Sequence, residues 1–151
     1  MLTRTELSIA VEQLLLQHED GADAFKFLCA YGTFAHAVDD IIDEKISNPE
    51  VILKTFQLYC EIFNCRFYRK YYDYLYPLIC NINNEYADSV LYEHSNVQWK
   101  KEFSDCMRTS GNTLVVMVVK LLCGYDESRK VSLLFRDDSY RHHHDENGNP
   151  I

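Results

Sequence analysis

Phe34-Ala35-His36-Ala37-Val38-Asp39-Asp40-Ile41-Ile42-Asp43-Glu44 decides how the rest of the chain is read. Upstream of it, Phe25, Leu28, Cys29 and Tyr31 recur at three- and four-residue steps among small alanines. That period predicts a deeply packed helix from about Ala22 to Ile46, with the acids at its C-terminal end. On a helix, Asp39 and Asp43 lie one turn apart on one face, where like charges repel by a few tenths of about 1 kcal/mol. The helix dipole also disfavours negative charge at this end. One reading is a solvated acidic face. The other is a pair of carboxylates with a cation between them. Mg²⁺ suits that role, because it takes one or two protein carboxylates and completes its octahedron with water and substrate phosphate. Asp39 and Asp43 are then the primary ligands, with Asp40 and Glu44 nearby. His36 stands one turn before Asp40 and can hydrogen-bond it, pack, or join the metal site.

Outward from this stretch, Asn48-Pro49-Glu50 spells a helix start: an N-cap, a proline at the first position and an acid in the first turn. The helix is expected to reach about Tyr68, with Ile52, Phe56, Tyr59, Ile62 and Phe63 on its inner face. Arg66, Arg69 and Lys70 follow, interleaved with Phe67, Tyr68, Tyr71 and Tyr72. They read either as a solvated helix end with snorkelling stems or as a cationic rim for an anionic diphosphate. On the other side, Thr3 or Thr5 caps a first helix running to about His18, and His18 to Gly21 is a turn.

Pro77 is expected to break or bend the chain, with a helix resuming from Leu78 to about Glu93. Glu85, Ser89 and Glu93 fall at i, i+4 and i+8 on it, either as an ordinary polar face or as an opposite wall for a second metal ion. A last helix spans about Val97 to Gly124. Gly111 within it suggests close packing or room beside a ligand, and Gly124 is the stop. The pattern fails after that. Residues 1–124 therefore read as one helical domain and 125–151 as an irregular, partly mobile tail. His142, His143 and His144 are read as solvated within that tail.

The chain has 151 residues, 47% of them hydrophobic, with only five Gly and three Pro, which argues against a many-turned β protein. The expected fold is all-α: a single-domain bundle of five or six helices around the aromatic second helix. A net charge of −8 and a pI near 5.1 disfavour nucleic-acid binding. None of the six cysteines forms a Cys-x-x-Cys unit, so reduced thiols and a cytoplasmic setting are expected. The N-terminus lacks a signal-peptide pattern, and the apolar run Leu114 to Val119 is too short to span a bilayer.

Val38-Asp39-Asp40-Ile41-Ile42-Asp43-Glu44 resembles the first aspartate-rich motif of the squalene/phytoene synthase family, among the class I isoprenoid synthases. Leu78-Ile79-Cys80-Asn81-Ile82-Asn83-Asn84-Glu85 is similar to that family's Leu-Ile-x-Gly-Met-x-x-Asp segment. Asp105-Cys106-Met107-Arg108-Thr109-Ser110-Gly111 is similar to its Tyr-Cys-x-x-Val-Ala-Gly segment. The resemblance covers about residues 22 to 124. It implies an all-α fold in which Asp39 and Asp43 hold Mg²⁺ against a prenyl diphosphate, with metal-assisted ionisation of the leaving group. The departures are specific. His36 stands where the family has Arg, Asn81 and Leu114 replace Gly, and Glu85 replaces Asp. Tyr125-Asp126-Glu127-Ser128 stands where a second aspartate-rich motif belongs.

Three function classes follow. The first is an isoprenoid-synthase-like domain that binds Mg²⁺ and a prenyl diphosphate, with or without prenyl-transferase activity. The second is a small non-enzymatic helical module that binds another protein or a second copy of itself. The third is an all-α, Mg²⁺-dependent nucleoside triphosphate pyrophosphohydrolase. Glu85-Tyr86-Ala87-Asp88 matches that family's Glu-x-x-Asp, with Asp40-x-x-Asp43 as a loose partner.

Overall fold

A computed structural model describes residues 6–143 and 149. Among the described residues every regular element is helical, as expected. The chain divides at Tyr72/Asp73 into two compact units. The expected Thr3 or Thr5 cap and the segment from His144 to Gly148 lie outside the described residues.

In the first unit, α1 (Glu6–Leu15) and α2 (Gly21–Asp43) meet at a tight corner. The Gly21 N–H donates to the His18 carbonyl at 2.9 Å. A Cβ on Gly21 would sit 1.7 Å from the Leu15 carbonyl oxygen, so only glycine lets the chain turn this closely. The first unit continues with α3 (Pro49–Asn64) and the short α4 (Arg66–Lys70). The Asn48 side chain accepts from the Glu50 N–H at 2.9 Å, and Pro49 opens α3 as the sequence predicts.

α2 ends in a Schellman-type stop. Lys45 adopts φ 50°, and the Ile46 N–H reaches back to the Ile41 carbonyl at 3.0 Å. A lysine in the left-handed region costs about 1–2 kcal/mol that glycine would not.

The first core is a run of rings. Phe27 is fully buried and lies 5.8 Å from Phe67 and 5.7 Å from Tyr68, centroid to centroid. The run continues from Tyr68 to Phe63 at 5.2 Å, to Tyr59 at 4.6 Å and to Phe34 at 5.3 Å. These are attractive offset and edge geometries. Beside them Val11, Leu15, Ala24 and Ile62 are buried. Burial pushes the Tyr31 hydroxyl up to about 12.

Three expectations are corrected here. α2 is deeply packed only at its start, through Gly21, Ala24 and Phe27, and its acidic end is not buried. Ile52 and Phe56 are exposed and not on the inner face of α3, where the buried positions are Thr55 and Ile62, while Tyr59 is 40% exposed with its ring against Phe34 of α2. The expected single helix from Pro49 to Tyr68 is broken at Cys65, whose extended backbone (ψ 128°) lets α4 fold Phe67 and Tyr68 onto Phe27.

The second unit holds most of α5 (Tyr72–Glu93), then α6 (Gln98–Arg108), a 3₁₀ turn at Thr109–Gly111, α7 (Asn112–Cys123) and α8 (Tyr125–His143). Pro77 does not break the chain; it sits inside α5. Its missing N–H frees only the carbonyl of Asp73, an exposed first-turn residue that water can serve. Gly124, at φ 88°, stops α7 as expected. Residues 125–143 are not irregular, because α8 packs along α7 by burying Ser128 and Val131. With Ser128 and Val131 the only buried side chains among the described residues of α8, its apolar period is too faint to read.

Ser89, Ser104 and Ser128 are also buried, and each donates its hydroxyl to the carbonyl three residues back, at 2.6, 2.6 and 2.7 Å. They satisfy themselves locally and let helices approach without an unpaired polar atom. A Cβ on Gly111 would meet nothing within 4 Å, so close packing does not require this glycine. Trp99 stands edge-on to Tyr92 at 6.0 Å, with the Lys100 ammonium 5.7 Å from its centroid.

The helical stretch Gln98–Cys123, 26 residues with mean hydropathy 1.2 in its most apolar window, is long and apolar enough by composition to cross a membrane. Its first half nonetheless carries Lys100, Lys101, Glu102 and Asp105.

Candidate functional site

The predicted metal ligands stand on the last turns of α2. Asp39 is half-buried, while Asp40, Asp43, Glu44 and His36 are exposed. Among the described residues no group of three or more His, Cys, Asp or Glu side chains converges in a way that could hold a metal ion.

The basic residues belong to the other end of α2. The Lys70 ammonium reaches the Asp20 carboxylate at 2.5 Å, the Tyr71 hydroxyl donates to the same oxygen at 3.1 Å, and the Arg66 Nε meets Asp23 at 3.0 Å. Arg69 is exposed. Asp20 precedes Asp39 by nineteen residues of helix, about 28 Å at 1.5 Å per residue. Arg66 and Lys70 therefore clamp the start of α2 and do not reach its acidic end.

This clamp gives a pH signature. The Lys70 hydrogen bond holds the Asp20 carboxyl below its ordinary 3.8, and the same bond lifts Lys70 above its ordinary 10.5. A depressed carboxyl contributes stability above its unfolded value and loses it as pH falls through the folded one. A raised lysine contributes below its unfolded value and loses it as pH rises through the folded one. The pair is thus intact across neutral pH. The difference in Tm between the wild type and Asp20→Asn is expected to stay constant from about pH 5 to 9 and to shrink below about pH 4.

The α5 candidates lie in the second unit and are engaged there. Glu85 accepts from the Asn81 amide at 3.0 Å, Ser89 is committed to the Tyr86 carbonyl, and Glu93 is paired with Arg108. They share a side of α5, as their spacing requires, but Ser89 faces the core while Glu93 is exposed.

Two features were not singled out as sites from the sequence. One is on α3. At 100° per residue, Thr55, Leu58 and Ile62 form the packed arc, and Ile52, Phe56, Tyr59 and Leu53 form a second arc about 120° away. On that second arc Leu53 is 68% and Phe56 63% exposed. The signal was present as an apolar arc too broad for one packed face, wider than the stripe of about 100° that a surface helix usually buries. The other is a cleft of about 290 Å³ in the second unit, between α7 and α8 with Leu78 of α5 at its edge. Its α8 wall, Tyr125, Ser128, Arg129 and Ser132, was hidden in a segment expected to be irregular.

No family model, curated protein or solved structure matches the chain.

Proposed function

We propose that the first unit is a protein-interaction module without chemistry of its own, docking a partner protein on the second apolar arc of α3. The observation that carries this reading is the exposure of Leu53 and Phe56 beside Ile52 and Tyr59 on about two turns of helix. Large apolar side chains gathered in one exposed patch mark interaction surfaces, whereas single scattered ones do not. Aromatic residues at the centre of such a patch supply most of the binding energy when they are desolvated. Glu50, exposed and paired with Lys54 at 3.1 Å, lies about 60° beyond Leu53 on the helix and follows the arc with polar surface, as interface rims do.

The test separates this reading from the diphosphate and nucleotide readings. Leu53→Asp with Phe56→Asp is expected to keep helicity and Tm, because neither side chain is buried, while lowering affinity for the partner by tenfold or more. Sedimentation of the wild-type complex tells a second copy from another protein. Mg²⁺ with farnesyl diphosphate, or with a nucleoside triphosphate, should leave Tm unchanged. Asp39→Asn with Asp43→Asn should gain a few tenths of about 1 kcal/mol by relieving repulsion. A Mg²⁺-dependent rise of about 2.7 kcal/mol at a hundredfold excess of either ligand over Kd, lost in the Asn variant, would replace the interaction reading with the enzyme-like one.

A further inference from the structure

The geometry points to the α7–α8 cleft of the second unit as a binding site for a small amphiphilic carboxylate, one with a short apolar chain. Two helix stripes build it. Val116, Met117 and Lys120 fall at i, i+1 and i+4 on α7, so they share one side of it, and Tyr125, Arg129 and Ser132 fall at i, i+4 and i+7 on α8. The sharp turn at Gly124 brings the two stripes together.

The floor is apolar, formed by Leu78, Val116 and Met117, and Lys120 and Arg129 are exposed on the rim. Among the described residues neither cation has a carboxylate partner, and the Lys120 ammonium only overhangs the Tyr125 ring at 5.9 Å. The nearby Lys130 and Glu127 are paired with each other at 2.8 Å. Two uncompensated cations above an apolar floor select a ligand with an anionic head and an apolar body. The guanidinium offers the paired donors that a carboxylate accepts. A cleft of about 290 Å³ is at the lower end for small-molecule sites, which leaves room for about ten non-hydrogen atoms. That suits a medium-length acyl chain.

The probe is octanoate, titrated calorimetrically into the full chain. Saturable one-to-one binding is expected, with 1-octanol weaker by about tenfold or more and acetate silent, because head and tail each contribute. Arg129→Gln with Lys120→Gln should bring octanoate to the level of octanol, and both residues are exposed, so the fold is retained. Met117→Trp should fill the floor and abolish binding of both. Equal affinity for octanoate and octanol, non-saturable uptake, or an unchanged Kd in the Gln variant would each overturn the assignment. The α3 variants leave this binding unchanged, so its failure is distinguishable from failure of the interaction module.

Discussion

Gly21→Ala is expected to destabilise the first unit by about 3 kcal/mol or more, the upper end for overpacking. The added methyl would stand 1.7 Å from the Leu15 carbonyl oxygen and 2.4 Å from its carbon. Both are backbone atoms at the end of α1, so no side chain can rotate away to make room. Relief requires α1 to move relative to α2, which uncovers Val11 and Leu15, now 3% and 0% exposed. Urea unfolding followed by far-UV circular dichroism measures the cost. A loss under about 1 kcal/mol would mean that the corner opens without disturbing the core.

Phe27→Ala is expected to cost about 3–5 kcal/mol, the usual range for removing a buried ring. Phe27 is 0% exposed and touches three other rings, Tyr31, Phe67 and Tyr68. Its loss removes the transfer free energy of the ring, the pairwise ring attractions and the support that holds α4 against α2. Phe27→Leu should cost clearly less, because much of the volume remains. If the two variants melt together, the bulk that leucine restores contributes nothing and the loss belongs to the ring contacts themselves. Domains of this size hold only about 5–15 kcal/mol in total, so either substitution takes a large share.

The contrast between Phe27 and its neighbours shows how far the sequence could be read. The all-α class and the Asn48-Pro49 start of α3 were legible because they rest on local chemistry: helical periodicity, few turn residues, a side-chain cap and a fixed proline φ. Phe27 was not singled out, although Phe25 and Leu28 were, because α2 is apolar on several sides and only packing chooses among them. Phe67 and Tyr68 looked like part of a basic rim for the same reason. Their burial depends on the break at Cys65, which a lone Asn64, with no Gly or Pro beside it, announces only weakly.

The acidic end of α2 was legible as a charge cluster and not as a site, since a site needs an opposing wall that spacing on one helix does not supply. The cationic residues expected to complete it have local work instead, on Asp20 and Asp23. The α7–α8 cleft needed both helices before its two stripes could be seen as facing each other.

The chain has one tryptophan, Trp99, which is 58% exposed and stands beside Tyr92 and Lys100 in the second unit. Its emission is therefore a beacon for residues beyond Tyr72 alone, tuned by water and a neighbouring ammonium. In Gly21→Ala or Phe27→Ala, the ellipticity curve can shift while the fluorescence curve stays in place. One cuvette thus yields a record of the second unit beside one of the whole chain.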